Sequence, residues 1–425
     1  MIFFAAAAGA FSRGAFVVAV AWTALVLTND KAMVGLVLVI WSLIALFVGP
    51  FVGTVIERRD HKKSVLAGQL LIVLAIAFPG LVSLFARELA IELAIEQLFI
   101  AATLWSIGGL FVGGPFDALV QAVVPRDHRR KVGAQLGSFR QVFMVTGVGV
   151  AGLVMHYQGP GIVFLLSAAS GLIMWLSVLL LRPLPPARTS GLSVAEADIP
   201  ETDLPETGNP ADATPATDIP ANNRRYLSDL REGLGYLAGN PILVVTSITI
   251  GLAFASGQVT NTLLPAYVFV EMQSGSDLYG FADAAWAIGA VGASMTVALL
   301  VVRYQLQRIE SWCLALIGGT MIMMWFEINP VILIGLQLAM GATASTAKAI
   351  AEGEFLQHCD ETKIGRVRSL VQAITGLIGI FVHLSPSFLT AFSTAQIYLL
   401  WGSIFTVTGF LFAFMPATRR SQLVK

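Results

Sequence analysis

Residues 161–182 read GIVFLLSAASGLIMWLSVLLLR, an apolar run closed by Arg182 with no charge before it. At a rise of about 1.5 Å per residue, a helix over this run reaches across the ~30 Å hydrocarbon layer of a bilayer. Just before it, His156-Tyr-Gln-Gly-Pro160 is a short, nearly uncharged turn, preceded by another apolar run over 132–156. Beyond it the chain changes character. From Thr189 to Asn222 there are seven acids (Glu196, Asp198, Glu201, Asp203, Glu206, Asp212, Asp218), no base, and many Pro, Ala and Thr. Such a segment buries too little apolar area to offset the entropy of ordering, so a disordered linker is expected over 183–225. Its near-repeat, Asp198-Ile-Pro-Glu-Thr and Asp203-Leu-Pro-Glu-Thr, reads as low-complexity spacer or as a docking peptide. Residues 226–240 follow as an amphipathic interfacial helix, with Tyr226, Leu227, Leu230, Leu234 and Leu237 near one face.

Working outward in both directions gives twelve spans: 3–28, 33–56, 64–86, 94–117, 132–156, 160–182, 242–263, 278–302, 309–327, 330–353, 369–391 and 394–416. The expected fold is therefore an all-α membrane protein of twelve transmembrane helices in two six-helix bundles, 1–182 and 241–416, with a tail over 417–425. Over 425 residues the chain is 56% hydrophobic and 12% charged, against roughly a quarter charged in a soluble domain; a cytosolic enzyme is excluded. Met1 enters the first span without a charged leader, so no removable signal peptide is expected. Cys313 and Cys359 alone make neither a disulfide framework nor a cysteine zinc site.

Lys and Arg are balanced by Asp and Glu at 26 each, but their placement is lopsided. Arg58, Arg59, Lys62 and Lys63, the Arg126–Lys131 group, Arg182 to Arg231, Arg303, Arg308, Lys363 to Arg368 and the C-terminal bases all fall on one side; the other side has Lys31 and Arg87. The basic side is expected to be cytoplasmic, with both termini on it, in a bacterial inner membrane or one derived from it.

Corresponding places in the two halves resemble one another weakly. Gln121 pairs with Gln357 and Arg130 with Arg366 in the loops after spans four and ten. Parallel six-helix repeats are a transporter design with substrate held near the midplane. The loop after span two, Gly49-Pro-Phe-Val-Gly53-Thr-Val-Ile-Glu57-Arg58-Arg-Asp60-His61-Lys62-Lys63, is similar to the signature Gly-x-x-x-Asp-Arg-x-Gly-Arg-Arg of the major facilitator superfamily. Gly53, Arg58 and Lys62 match, while Glu57 stands for Asp, Asp60 for Gly and His61 for Arg. The resemblance extends over essentially the whole chain. It implies a cytoplasmic latch around Glu57 and Arg58, although ordinary loop charges would read alike. In span five, Arg140-Gln141 followed by Gly147, Gly149 and Gly152 resembles the glycine-rich motif of the superfamily's antiporters, with Val148 where proline is usual; tight helix packing alone is the other reading. The phrase Leu230–Pro241 and the loop Val124-Pro-Arg-Asp-His-Arg resemble the enterobactin-exporter-like and macrolide-efflux-like branch.

Charges inside spans each need a partner, water or a function. Arg13 lies near the middle of span one, where it can meet an anionic substrate or a carboxylate of another helix. Arg140 reads as a ligand contact or a packing arginine. Lys348 and Glu352 share a face of span ten at i, i+4. Asp117 and Glu354, each 12 residues before a base (Arg129 and Arg366), read as gate ion pairs, with Arg130 beside them. Glu88, Glu92 and Glu96 form a stripe at the outer end of span four; they and Asp283 read as a vestibule face or a proton site. His383, in span eleven, is a proton relay or a hydrogen-bonded core histidine. Gln258, Asn261 and Thr262 in span seven, with Trp22, Thr23 and Trp286, offer polar and aromatic lining for a mixed organic ligand. No chelating set is seen, and no cofactor or nucleic-acid partner is expected.

The function expected from these readings is proton-coupled export of a small amphiphilic molecule, such as a siderophore or drug, by a monomer in the lipid bilayer. Transport of iron or an iron chelate is the alternative, and a scaffold acting through the acidic linker is a third.

Overall fold

A computed structural model describes residues 1–49, 51–52, 60–85, 94–125, 128–181, 234–300, 308–360 and 364–415. Twelve helices coincide with the twelve expected spans: α1 Ile2–Thr28, α2 Lys31–Phe47, α3 His61–Phe85, α4 Ala94–Val123, α5 Arg129–Gln158, α6 Pro160–Leu179, α7 Pro241–Ala266, α8 Ser276–Leu300, α9 Ile309–Met323, α10 Pro330–His358, α11 Ile364–Phe388 and α12 Thr394–Phe414. Counted over the described residues, nine of them are long and apolar enough to cross a membrane, and α2 and α12's neighbour α9 are shorter apolar helices.

Local chemistry sets the turns. Asn29 takes the left-handed conformation at φ 51° to end α1, and the Asp30 carboxylate accepts the Ala32 N–H at 2.8 Å to start α2. Gly159, at φ 81°, precedes Pro160 at the first turn of α6. Asn240 and Asn329 cap α7 and α10 ahead of prolines, and Ser393 with Gln396 forms a capping box on α12. On the basic-loop side Asp60 accepts the Lys62 N–H at 2.8 Å and so caps α3. The residue standing for glycine in the signature is thus a helix cap.

The packing repeats. In the first half α1 packs on α5 and α6, α3 on α4 and α6, and α2 on α4; in the second, α7 packs on α11 and α12, α9 on α10 and α12, and α8 on α10. Each pair is matched by the pair six helices later. The bundles meet along two seams, α2 against α11 and α5 against α8. Within bundles the contacts are made by small residues such as Ala5, Ala15 and Ala19 of α1, all fully buried. Large apolar side chains point outward instead, among them Leu400, Ile404, Val407 and Leu411 along α12. Lipid provides no hydrophobic drive between helices, so close approach of small residues and backbone is what holds them.

The acidic linker and the tail lie outside the described residues. Of the amphipathic segment, 234–239 is helical. Leu237 is buried with Phe355, Val367 and Val371, and the Tyr236 hydroxyl accepts the Asp360 N–H at 3.1 Å. This end of the segment is docked on α10 and α11 rather than lying only along the membrane surface.

Candidate functional site

A cavity of about 750 Å³ lies between the bundles at mid-depth. Its first wall carries Arg13 of α1, Trp41 of α2, Trp105 of α4 and Gln141 of α5; its second carries Gln258 and Asn261 of α7, Asp283 and Trp286 of α8, and Lys348 of α10. A further space of about 840 Å³ shares Trp41, Phe254, Gln258 and Lys348 with it and runs past Glu352 to Arg368, near the basic loops. The two form one vestibule open toward the basic side.

The opposite end is closed across both seams. Along α2 and α11, Gly35 lets the backbones touch at the His383 carbonyl, Ser42 Oγ then stands 3.4 Å from where a Cβ on Gly379 would be, and Leu46 and Gln372 already face open space. The helices therefore diverge toward the basic side. Between α5 and α8, a Cβ on Gly152 would fall 2.6 Å from the Gly280 Cα. Beside it Ser276 Oγ donates to the Gly152 carbonyl at 3.2 Å, and His156 Nδ1 stands 3.3 Å from the Asp277 carboxylate. Lys31 Nζ donates to the Phe392 carbonyl. Trp22 stacks on Tyr279 at 5.6 Å and meets Phe269 edge-on; Trp22 and Thr23 belong to this closed end, not to the cavity lining.

The charged groups sort by surroundings. The Arg13 guanidinium lies over the Trp105 ring at 5.7 Å, is exposed to the cavity, and has no carboxylate within ion-pair distance among the described residues. Arg140 donates to Asp117 at 2.8 Å and covers the Phe116 ring at 5.1 Å, tying α5 to α4 within one bundle. The partner of Asp117 described here is thus Arg140, 23 residues on, while the side chains of Arg129 and Arg130 lie outside the described residues. Lys348 and Glu352 stand 4.0 Å apart as an i, i+4 pair in the vestibule. Asp283 is buried, borders the cavity, and makes no hydrogen bond among the described residues. His383 is fully buried and its Nδ1 is hydrogen-bonded to Thr262 Oγ1 of α7 at 2.7 Å, inside the second bundle rather than on a described cavity wall, while its backbone carbonyl meets Gly35 in the α2–α11 seam. Glu96 is exposed in the first turn of α4; Glu88 and Glu92 lie outside the described residues.

Of the expected latch, Gly53, Glu57 and Arg58 lie outside the described residues. Lys62 Nζ donates to the Leu179 and Leu181 carbonyls at 2.9 and 2.7 Å, holding the end of α6 in its own bundle rather than reaching across. Glu354 is half-buried on α10, and the Arg366 side chain is outside the described residues. Gly147 admits the Phe11 backbone of α1, whereas Gly149 faces Ala284 and Gly152 faces Gly280 of α8. One glycine serves the bundle and two serve the seam.

Trp41 and Trp105 were not singled out by sequence, although a signal existed. With Trp286 they sit ten or eleven residues from the outer starts of their helices, roughly 15 Å deep, where interface anchors do not belong. The indole N–H groups of Trp41 and Trp286 and Gln258 Oε1 have no hydrogen-bond partner among the described residues. These three polar atoms are themselves buried behind the cavity wall, so what a molecule in the cavity meets is the indole surface, an uncompensated cation and an acid.

One family model, described as Major Facilitator Superfamily, matches residues 2–318. No curated protein matches the chain. Among solved structures the fold is similar to that of the nucleoside transporter NupG, at 13% identity and a TM-score of 0.69 with 97% of each chain covered. It is also similar to a bacterial homologue of the iron transporter ferroportin in an inward-facing state, at 15% identity and 0.68 over 97% of this chain and 98% of that one. A D-xylose-proton symporter matches at 14% identity and 0.65 over 99% and 98%. At such identities the likeness is one of fold.

Proposed function

We propose that this chain, which belongs to the major facilitator superfamily and is a membrane transporter rather than an enzyme, exports a small amphiphilic organic molecule in exchange for protons. The observation that carries the reading is a cavity walled by both bundles, shut at one end by seam contacts and open at the other. With the basic loops on the cytoplasmic side, this is an inward-open conformation, and rocking about the seams exposes the same cavity outward. The lining, three indoles with amides and isolated charges, suits an amphiphile such as a siderophore or drug, in keeping with the efflux-like phrases around Val124 and Leu230. The acidic segment 183–225 acts as a spacer between the bundles.

For coupling, Asp283 is the better candidate than His383. A coupling group must exchange its proton with the pathway in one state and be cut off in the other. Asp283 borders the cavity, whereas the His383 side chain is engaged with Thr262 inside the second bundle.

The test is two-sided accessibility. In a Cys313→Ser, Cys359→Ser background, Ser345→Cys on the cavity wall should react with an impermeant maleimide in inside-out vesicles. An imposed proton gradient, with no ligand added, should shift labelling to right-side-out vesicles. Labelling from one side only, whatever the gradient, overturns alternating access.

A further inference from the structure

Beyond Arg13 the central cavity continues into a side pocket of about 260 Å³ enclosed by the first bundle alone. The two spaces share Arg13, Trp105, Gln141 and Met144, so Arg13 stands at the threshold. The ionisable lining of the pocket is Arg13, Arg140 and Asp117. Asp117 is taken up by Arg140 at 2.8 Å, which leaves the constellation one positive charge in excess, on Arg13.

A guanidinium at mid-depth with no counter-ion is costly unless water or an anion solvates it. Its planar fork matches a carboxylate, and charge-assisted bonds to it are stronger than neutral ones. The pocket has room for such a group: Gly109 and Gly113 of α4 line it, and a Cβ on either would meet nothing within 4 Å. Next to the threshold Trp105 and Trp41 lie with ring centroids 4.9 Å apart and planes at 35°, an aromatic ledge for a planar body. Asp283 stands on the other wall of the main cavity, where in its ionised form it repels an anionic head and so directs it toward Arg13.

The geometry points to an organic anion with a planar apolar body as the substrate class, its anionic group received by Arg13 in the side pocket and its body resting on Trp105 and Trp41. This rests on the transporter reading above and gives the cargo its chemistry.

Equilibrium binding of 2-naphthoate, 2-naphthamide and 2-naphthylmethylammonium to the full chain in lipid nanodiscs tests it. The carboxylate should bind about tenfold or more tighter than the amide. Arg13→Gln should erase that margin and Arg13→Lys should keep part of it. Gly113→Leu, which fills the pocket without touching a charge, should weaken the naphthoate and spare the amide. Equal affinities, a margin that survives Arg13→Gln, tighter binding of the ammonium, or no binding of naphthoate would each overturn the anion pocket. The Ser345→Cys labelling is independent of these ligands, so alternating access that persists alongside such a failure confines the error to the pocket.

Discussion

Seen from the cavity, the first bundle presents Arg13 with Trp41 and Trp105, and the second presents Gln258, Asn261 and Asp283 with Trp286. The bundles pack by the same scheme, and Trp41 and Trp286 occupy matching depths on the repeat-related helices α2 and α8. The Trp41 and Trp286 surfaces thus follow the repeat, while charge departs from it: Arg13 on α1, without an ion-pair partner among the described residues, faces Asp283 on α8, and Lys348 of the second wall is paired with Glu352. In the transport mechanism proposed above the two walls divide two jobs, recognition of the cargo on one and exchange of the coupling ion on the other.

Removing one charge at a time breaks this division most directly. Arg13→Ala should lower transport by roughly 100-fold, the loss expected for a charge-assisted contact in a dry site, with insertion and membrane abundance unchanged; normal flux from a well-expressed variant would take Arg13 out of the pathway. Asp283→Asn should cut gradient-driven accumulation about tenfold and flatten its dependence between about pH 5.5 and 8.5, while substrate affinity stays within about twofold. A pH profile superimposable on that of the unaltered protein would move coupling elsewhere.

The seams sharpen the comparison, because they decide which side the two walls face. Gly152→Val overpacks the α5–α8 contact by about 1–3 kcal/mol, enough to shift the conformational ratio about tenfold. Labelling of Ser345→Cys should then move toward the outer side, and an unchanged pattern would mean that the contact does not set the balance. The smallest effect on transport is expected at His383→Ala, which loses a buried hydrogen bond and leaves a cavity, together about 2–4 kcal/mol of stability. Its thermal midpoint should fall by several degrees with no change in the pH profile, whereas a flattened profile would make His383 the proton carrier.

The helices were legible because apolar runs and their Asn, Pro, Gly and Ser borders are local properties. Hydropathy reports only membrane thickness, however, so α4, α5 and α10 run beyond the expected spans to Val123, from Arg129 and to His358. Within the site, Arg13 stood out as a lone charge in an apolar run, and Lys348 with Glu352 as an i, i+4 pair on one helix. The Arg140 to Asp117 bond joins two helices, and no spacing rule foretells which base an acid will choose across a bundle. Likewise nothing in the residues around His383 and Asp283 says which faces the bundle interior and which a cavity; that depends on helix rotation.

Gly35 and Gly152 close the outer end largely by backbone meeting backbone. A surface without side chains has no rotamers to freeze on closing and none to release on parting. At these two crossings, then, parting and re-forming costs little side-chain entropy, and in the transport cycle proposed above the ordering cost of closure falls on the side chains beside them, Trp22, Ser276 and His156.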